Sequence, residues 1–542
     1  MNSSYDNFII SAIEELPEKK EDFAYLKKKL CKRFGVSMPT NADLRDRYNQ
    51  LVSAKKIKQS PTFEKMLLSR AVRTQSGVAV VAVLTKPSTC PGNCLYCPTE
   101  KGMPKSYLSN EPAVMRAIDS QFDPYLQVHN RLRSLELNGH ATDKIELIVM
   151  GGTFSYFPKS YQKKFITQCF SAANDYPKAN HRGPKTQSRS DLDSALMREQ
   201  KKNEKAKHRI IGLTLETRPD YIDKKEILNF RDLGCTRVEL GVQSIYDDVL
   251  QLNRRGHDVQ ETARATKMLR DAGFKLNYHM MPGLPGSTSK RDFEMFKALF
   301  QDPRFQPDML KIYPTVVLKN SDLYDLWKAG KYKPLTDKTF EKLAIKIKNE
   351  AIAPYVRIAR LVRDVPTSSI IAGPIVSNLR QIIEHKAHCP CIRCREVKNE
   401  YQIKEKIILD RINYEAADGK EIFLQYVSPD KKKLFALLRL RIPGEVGGIR
   451  EFREFQPAFK VLENAALIRE VHTYGKLAKI DSKDASSPQH IGLGRKLLQE
   501  AERIAKEEFD LKKIVVISGV GVRGYYRKNG YRLKDTYMVK SI

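Results

Sequence analysis

Six short apolar segments recur through the first two thirds of the sequence, and each is followed at once by glycine, proline or polar residues. They are residues 78–84, 145–150, 210–215, 237–240, 275–281 and 309–313. The first is an uninterrupted, β-branched run, which is typical of a strand buried on both faces. Because helical sequence such as residues 258–271 separates the segments, they predict βαβ units and a parallel sheet. A further apolar and basic strand is predicted at residues 356–363.

The loop directly after the first segment carries the strongest chemical signal. Cys90, Cys94 and Cys97 follow the spacing Cys-x3-Cys-x2-Cys. Short spacings let thiolates converge on a soft metal centre, and four thiolates would close the ligand shell of a 4Fe–4S cluster. Three leave one iron open to a substrate or cofactor, at the strand ends where parallel barrels place their active sites. The alternatives are a zinc knuckle without its fourth ligand and three unrelated buried thiols.

A second cysteine cluster consists of Cys389, Cys391 and Cys394. Three thiolates at this spacing suit tetrahedral zinc. His385 and His388 precede them, but the sequence does not say which histidine completes the ligand set. Three free thiols are the alternative interpretation.

The pattern changes after about residue 405, where strands are predicted at residues 435–442, 466–472 and 514–517. A glycine-rich turn at residues 489–494 precedes a helix that runs to about residue 509. Glycines at a helix start expose backbone N–H groups that can bind a pyrophosphate. An ordinary glycine turn with core aromatics nearby is the alternative interpretation.

The charge of the chain indicates a polyanionic partner. Lys and Arg total 95 against 64 for Asp and Glu, a formal net charge of +31. Such an excess favours nucleic acid, although solvated basic surfaces are the simpler explanation. Residues 1–75 are predicted to form short basic helices. Two interpretations of their basic residues have equal weight: they contact RNA, or they form a solvated helix face. Residues 177–209 are predicted to be a mobile surface insertion with a charged helix from about residue 192.

Several features predict a cytoplasmic protein. The sequence contains no apolar run of about 18 residues, so no transmembrane helix is expected. The N-terminus lacks the pattern of a secretory signal. Six of the nine cysteines lie in the two clusters, which favours metal sites in a reducing compartment over disulfides.

The spacing of Cys90, Cys94 and Cys97 resembles that of the radical S-adenosylmethionine (SAM) superfamily. The C-terminal order of strand, glycine turn, helix, strand and Tyr-Tyr resembles the GNAT acetyltransferases. Together they resemble the tRNA wobble-uridine carboxymethyltransferases, the family of the catalytic subunit of Elongator. The stretches that carry this resemblance are residues 72–83, 149–154, 216–221, 239–244, 489–494 and 525–528. The gap of three residues between the first two cluster cysteines is similar to that of archaeal or bacterial members.

The resemblance implies a reaction at carbon 5 of uridine 34. A cluster on Cys90, Cys94 and Cys97 would cleave SAM, and the resulting radical would remove hydrogen from the acetyl methyl of acetyl-CoA. The acetyl radical would add to the base, and the thioester would then be hydrolysed. The implied partner is the anticodon stem-loop of tRNA, with a homo-oligomer or Elongator-type subunits as further partners. A radical route is consistent with carbon 5 being a poor nucleophile.

The resemblance also implies roles for individual residues. The predicted SAM-binding residues are Gly151, Gly152, Thr153, Glu216 and Gln243. The predicted acetyl-CoA-binding residues are Lys144, Glu470, Val471, His472, Thr473, Gln489, Gly492, Leu493, Gly494, Arg495 and Tyr525. The residues predicted to be catalytic are the three cluster cysteines with Lys144, Tyr525 and Tyr526. The implied cofactors are a 4Fe–4S cluster, SAM and acetyl-CoA as co-substrate, with zinc as a candidate.

These inferences predict an α/β chain of four parts. A basic helical segment at residues 1–75, in contact with tRNA, precedes a partial parallel (β/α) barrel of the radical SAM type at residues 76–375. A cysteine-rich linker at residues 376–404 leads to a mixed α/β GNAT domain at residues 405–542.

Two other functions compete with this hypothesis. A protein lysine acetyltransferase with a structural iron–sulfur cluster would need a base near the acetyl group, for which Glu470 is the candidate. A non-catalytic RNA-binding scaffold predicts loss of cluster or CoA-binding residues, yet the three loop cysteines and both loop glycines are present.

Overall fold

The fold is described from a computed structural model. The structure describes residues 2–68, 77–178, 189–398, 405–444, 458–475 and 492–542. Among the helices of these residues, none combines the length and apolar character needed to cross a membrane.

A small helical bundle forms the N-terminal part. Its helices are α1 (Asn2–Glu14), α2 (Lys20–Phe34), α3 (Asn41–Ser53) and α4 (Pro61–Leu67). Gly35, with φ of 64°, ends α2, and a reciprocal capping box between Thr40 and Asp43 starts α3. Phe8 and Phe63 are among the buried residues of a separate apolar core. The basic residues of α2 lie outside this core, as an amphipathic helix requires.

Seven parallel strands form the central sheet, in the order β1-β2-β3-β4-β5-β6-β8. They are β1 (Ala79–Leu84), β2 (Lys144–Met150), β3 (Arg209–Thr217), β4 (Arg237–Gln243), β5 (Lys275–Met280), β6 (Met309–Ile312) and β8 (Arg357–Arg360). β7 (Val317–Leu318) and β9 (Ile370–Ala372) pair separately. The predicted partial parallel barrel is therefore confirmed, with β1 and β8 as its two open edges.

Helices connect the strands of this part of the chain, and several of them pack on the outer face of the sheet. They are α5 (Pro112–Asp119), α6 (Pro124–Leu137), α7 (Lys159–Asp175), α8 (Arg189–Asn203), α9 (Lys224–Asp232), α10 (Asp247–Leu252), α11 (Val259–Asp271), α12 (Ser289–Gln301), α13 (Leu323–Lys328) and α14 (Asp337–Glu350). The helix predicted from about residue 192 is confirmed as α8, but its placement as a surface insertion was wrong. Leu192, Leu196 and Asn203 are buried, and the Asn203 amide donates to Asn174 Oδ1 of α7 at 2.8 Å. Residues 179–188 of that predicted insertion lie outside the described part of the chain.

A second sheet forms the C-terminal domain, in the order β10-β11-β12-β13-β14-β16-β15. Its strands are β10 (Ile408–Ala416), β11 (Gly419–Val427), β12 (Leu434–Ile442), β13 (Ala466–Thr473), β14 (Lys513–Val516), β15 (Arg532–Lys534) and β16 (Tyr537–Ser541). Between the two domains lie the short helices α15 (Leu379–Ile382) and α16 (Ile392–Arg395). The long helix α17 (Leu493–Glu507) packs on the sheet through its apolar side, and the short α18 (Arg523–Lys528) follows β14.

β13 and β14 are the parallel pair in this otherwise antiparallel sheet. The pairing between the two strands ends at Ile468 and Val516, while β13 continues to Thr473. The two strands therefore separate beyond that point and open a gap in the sheet next to the start of α17. The predicted mixed α/β domain is confirmed as a separate sheet.

The C-terminal domain packs against the N-terminal ends of the barrel strands. Arg469 of β13 donates to Asp308, which immediately precedes β6, at 2.9 Å. Arg441 of β12 pairs with Asp271 at the end of α11, at 2.5 Å. Gly521 lies against Arg209 at the start of β3. The cysteine loop after β1 is at the opposite end of the same sheet.

Candidate functional site

The loop that carries Cys90, Cys94 and Cys97 is fixed by backbone hydrogen bonds to its neighbours. The Leu95 N–H donates to the Asn253 carbonyl at 3.2 Å, and the Leu323 N–H donates to the Leu95 carbonyl at 2.9 Å. Cys94 is buried, whereas Cys90 and Cys97 are half-buried. The loop therefore holds its thiols at the C-terminal end of the barrel, as the sequence predicted for an active site.

The surroundings of the three thiols fit an iron–sulfur cluster. The Gly92 N–H lies 3.4 Å from Cys90 Sγ, and Arg255 Nη1 lies 3.6 Å from Cys94 Sγ, so each of these sulfurs has a hydrogen-bond donor beside it. Burial and the neighbouring Cys94 raise the pKa of Cys97 to about 11, so a bound metal must displace its proton. The thiols do not converge within 4.8 Å, as a single ion would require, but a cluster takes each thiolate on a different iron.

The glycines after β2 lie next to this loop. Gly151 and Gly152 have φ of 132° and 89°, which other residues rarely adopt. A Cβ at Gly151 would collide with Thr85 Oγ1. Thr153 Oγ1 lies 3.9 Å from Cys90 Sγ. Three of the five predicted SAM-binding residues thus lie beside the cluster loop, where a side chain at Gly151 does not fit.

Glu216 and Gln243 are at the ends of β3 and β4. Glu216 Oε2 accepts a hydrogen bond from the Tyr107 hydroxyl at 2.9 Å. Gln243 has φ of 69°, and its Oε1 is buried without a hydrogen-bond partner among the described residues. Arg218 Nη1 is likewise buried without a hydrogen-bond partner among the described residues. Buried polar atoms without partners are rare in native proteins, so this end of the barrel fits a polar ligand such as SAM.

A column of polar side chains runs along the inner face of the barrel. Lys275, Asn277 and His279 alternate along β5 and therefore share one face. The Asn277 amide donates to Glu239 Oε1 at 3.1 Å, and His279 Nε2 lies 3.0 Å from Glu239 Oε2. Lys311 also pairs with Glu239, and its charge and the His279 hydrogen bond lower the pKa of that carboxyl against the effect of burial. Branched apolar residues would be expected to fill such an interior.

The column connects the two domains. At the N-terminal end, Lys275 Nζ pairs with Glu470 Oε1 of β13 at 3.0 Å. At the other end, His279 Nδ1 lies 3.6 Å from Glu216 Oε1, and Glu216 is bonded to Tyr107. β4, with seven residues, spans about 20 Å between these ends.

The predicted acetyl-CoA residues fall into two groups. Thr473, Gly494 and Tyr525 converge, because a Cβ at Gly494 would lie 2.9 Å from Tyr525 Oη and 3.5 Å from Thr473 Oγ1. Gly492, with φ of 77°, starts α17, and the next residue, Leu493, is buried in the core. This group lies at the gap between β13 and β14. Gln489 lies outside the described residues.

In the second group, Glu470 and His472 lie on the side of β13 that faces the barrel. Glu470 pairs with Arg439 Nε at 2.9 Å in addition to Lys275, and these cations hold its pKa below the usual range against burial. Burial lowers the pKa of the neighbouring His472 to about 4, and its ring lies 4.3 Å from that of Tyr474. Val471 is partly buried against the apolar core of the domain.

The residues predicted to be catalytic besides the cysteines, Tyr525, Tyr526 and Lys144, have different surroundings. Tyr525 is 40% exposed, and burial raises its pKa while the Arg495 charge opposes that shift. Tyr526 is buried in the core of the domain, with its ring 5.9 Å from that of Tyr531. Lys144 is at the start of β2, paired in register with Arg209, so it lies at the end of the barrel that faces the C-terminal domain. Burial lowers its pKa.

The second cysteine cluster has the geometry of a mononuclear metal site. The thiol groups of Cys389, Cys391 and Cys394 all lie within 4.8 Å of one another. The hydrogen bond between Cys391 and Cys389 lowers the pKa of Cys391 and raises that of Cys389. Neither His385 nor His388 belongs to the group. The residues fit a thiolate-bound ion such as zinc with a fourth ligand still to be identified.

Sequence reasoning missed several residues that contact the site. Arg218 lies in a stretch that the resemblance covered, yet it was assigned no role. Tyr107 and Arg255 carry no sequence signal, because the chain reaches the site there from segments far from the motifs. Glu239 and His279 could have been found from polar residues alternating within otherwise apolar strands.

Comparisons with known proteins agree with this geometry. The Radical SAM superfamily model matches residues 85–299, and the Radical_SAM C-terminal domain model matches residues 307–388. A tRNA uridine(34) acetyltransferase of Methanocaldococcus infernus is 43% identical over 535 residues, covering 94% of this chain and 93% of that protein. Elongator complex protein 3 of Homo sapiens is 39% identical over 509 residues, covering 89% of this chain and 88% of that protein. The solved structure of archaeal Methanocaldococcus infernus Elp3 with an N-terminal deletion covers 86% of this chain and 100% of that chain, with a TM-score of 0.70 and 42% identity.

Proposed function

This chain belongs to the radical SAM family that contains the tRNA uridine(34) acetyltransferases and Elongator complex protein 3, and we propose that it carboxymethylates uridine 34 of tRNA at carbon 5. The observation that carries the proposal is the polar column between Glu470 and Glu216. It joins the half of the chain that would hold acetyl-CoA to the half that would hold the cluster. Side chains of both halves therefore meet inside the barrel.

The cluster and SAM, when bound, supply the one-electron chemistry that removes a hydrogen atom from the methyl group of acetyl-CoA. The chain's own residues bind the cluster and SAM and orient them. Cys90, Cys94 and Cys97 hold the cluster, and the bare backbone of Gly151 and Gly152 lets SAM approach it. The buried, unpaired Gln243 Oε1 is positioned to accept from a donor of that ligand.

Thr473, Gly494 and Tyr525 hold acetyl-CoA in this proposal. Gly494 lies in the first turn of α17, where free N–H groups and the helix dipole favour a pyrophosphate. Lys144, at the facing end of the barrel, supplies a positive charge for the same anionic cofactor. The cluster of Cys389, Cys391 and Cys394 binds a structural zinc ion that stiffens the linker between the domains.

The net charge supports tRNA as the substrate. With a formal charge of +31, the chain can neutralise many phosphates, so its affinity for tRNA should fall steeply with salt. Lys28, Lys29 and Lys32 of α2 line a shallow concavity together with the exposed Tyr25. We assign this face of the N-terminal bundle to the tRNA backbone.

Protein lysine acetylation is disfavoured by the environment of Glu470. Lys275 and Arg439 hold this carboxylate in two ion pairs and lower its pKa, so it is a weak proton acceptor. No described feature favours a second function over uridine modification.

The experiment uses anaerobically reconstituted full-length protein with tRNA, SAM, acetyl-CoA and dithionite. Mass spectrometry of the digested nucleosides should reveal 5-carboxymethyluridine with the wild type and with Cys31→Ala, which removes a thiol far from the loop. Cys94→Ala should abolish it. Acetyl-lysine formed without SAM, in the absence of modified uridine, would refute the proposal.

A further inference from the structure

A pair of tyrosines stands beside the cysteine loop without a role in the proposed reaction. The Tyr156 and Tyr221 rings lie 6.0 Å apart at an interplanar angle of 85°. Tyr156 is 45% exposed, which is unusual for so large an aromatic side chain near a buried polar site. Tyr221 is partly buried beneath it. The two rings are nearly perpendicular, and Tyr156, the more exposed of the two, has ring surface open to solvent.

Two independent connections fix this pair next to the cluster loop. Tyr156 lies in a short 3-10 turn, and its backbone N–H donates to the carbonyl of Thr153 at 3.0 Å. The hydroxyl of Thr153 lies 3.9 Å from Cys90 Sγ. The Arg218 guanidinium lies 6.0 Å from the Tyr221 ring and is so close to Gly92 that a Cβ there would collide with it. Each tyrosine is thus linked to the cysteine loop through one intervening residue, which is Thr153 for Tyr156 and Arg218 for Tyr221.

The two turns that carry the tyrosines are also joined to each other. Thr217 Oγ1 donates to Ser155 Oγ at 2.8 Å. Arg218 makes a two-pronged ion pair with Asp220, with distances of 2.9 and 2.8 Å. The rings are therefore held in position before any ligand binds, which lowers the entropic cost of binding.

A positive charge lies near the same surface. Lys86, exposed at the end of β1, places its ammonium 5.0 Å from the Tyr161 ring. Tyr161 stacks at 4.7 Å on Phe157, the residue after Tyr156. A flat aromatic face beside a cation is the combination that single-stranded nucleic acid binds, with bases on the rings and phosphates on the cations.

We propose that Tyr156 and Tyr221 form the platform on which the pyrimidine base of the substrate nucleotide stacks when it leaves the anticodon loop. This inference rests on the proposed function, because it takes the reacting base to be a tRNA uridine. Chemistry on a base requires it to be unstacked and placed in a pocket at the reactive group. Tyr156 stacks on the base, Tyr221 packs against Tyr156 and holds it in place, and Lys86 contacts a neighbouring phosphate.

The direct test is photocrosslinking of the full-length, reconstituted protein to tRNA that carries 5-iodouridine at position 34. Mass spectrometry of the digested adduct should identify Tyr156 or Tyr221. A crosslink confined to another part of the chain would overturn the platform. This readout uses wild-type protein, so it does not depend on the folding of any variant.

The second test separates base binding from tRNA binding. Tyr156→Ala should lower the rate of uridine modification at subsaturating tRNA by about 10- to 100-fold, the range expected for one base–aromatic stack. Its affinity for tRNA in filter binding should fall less than about 3-fold, since phosphate contacts dominate. Tyr156→Phe keeps the ring and should restore the rate. Modification by Tyr156→Ala at the wild-type rate would contradict the platform.

The two proposals fail in different ways. If wild-type protein yields no modified uridine but crosslinks through Tyr156, the proposed reaction is wrong and the base platform is supported. If the wild type modifies uridine while the crosslink maps elsewhere, the reaction is supported and the platform is wrong.

Discussion

The replacement Asp308→Asn tests how the two domains are held together. Asp308 is completely buried between them and accepts from Arg469 at 2.9 Å and from the Leu276 N–H at 2.8 Å. Arg439 and Arg270 lie 3.5 and 3.8 Å from the same carboxylate. Asparagine has nearly the same shape and can still accept from Leu276. It removes the negative charge that these three arginines share.

The expected cost follows from burial of the charges. Arg270, Arg439 and Arg469 are no more than 1% exposed, so water cannot replace the lost carboxylate. Breaking a buried ion pair by removing one partner costs about 3–5 kcal/mol, because the remaining charge stays buried and uncompensated. Glu421, which also pairs with Arg270 and Arg469, limits the loss to this range.

Equilibrium urea denaturation followed by far-UV circular dichroism measures the effect on both sheets. The control is Asp302→Asn, since Asp302 is 25% exposed and pairs with the surface residue Arg304. The control should lose less than about 1 kcal/mol. A loss for Asp308→Asn as small as that of the control would refute the argument that buried charge joins the domains.

Three further changes have defined outcomes. Gly151→Ala should weaken SAM binding by at least about 10-fold in equilibrium dialysis while the cluster's absorbance persists. The reason is that the new Cβ collides with Thr85 and the backbone there is strained for alanine. The control variant Gly524→Ala, where the Cβ meets open space, should bind SAM normally. Burial raises the pKa of Asp292 to about 6, so the folded state holds its proton more tightly than the unfolded state and wild-type stability declines as pH rises from about 4 to 6. Asp292→Asn removes this decline, so its stability relative to wild type should increase by up to about 3 kcal/mol between pH 4 and pH 7 in urea titrations, and a constant difference would contradict the assignment. Cys391→Ser should lose one equivalent of zinc by elemental analysis while iron content stays unchanged, and equal zinc in both proteins would rule out a zinc site there.

Much of the fold follows from local sequence. The six segments predicted as barrel strands are β1 to β6, because continuous β-branched runs favour a strand buried on both faces. Their boundaries differ by a few residues, and the predicted strand at residues 356–363 shortens to Arg357–Arg360. Charge composition hid the buried face of α8, since Leu192 and Leu196 are too few to mark it.

The site is predictable where spacing carries the chemistry. The cysteine loop and Gly151–Gly152 are found because several groups lie close together in sequence. The polar column is not, because Glu239, His279 and Glu216 come from three strands and acquire a common role only when the sheet forms. The same limit applies to Tyr156 and Tyr221, whose rings meet across two loops.

The most direct test of the central claim, that one chain uses both sites in a single reaction, is an isotope experiment. The reconstituted enzyme is given acetyl-CoA with a fully deuterated methyl group, together with tRNA and unlabelled SAM. We expect deuterium in the 5′-deoxyadenosine that is released and in the methylene of the new 5-carboxymethyl group. Modified uridine formed without deuterium in 5′-deoxyadenosine would contradict the coupling of the two sites.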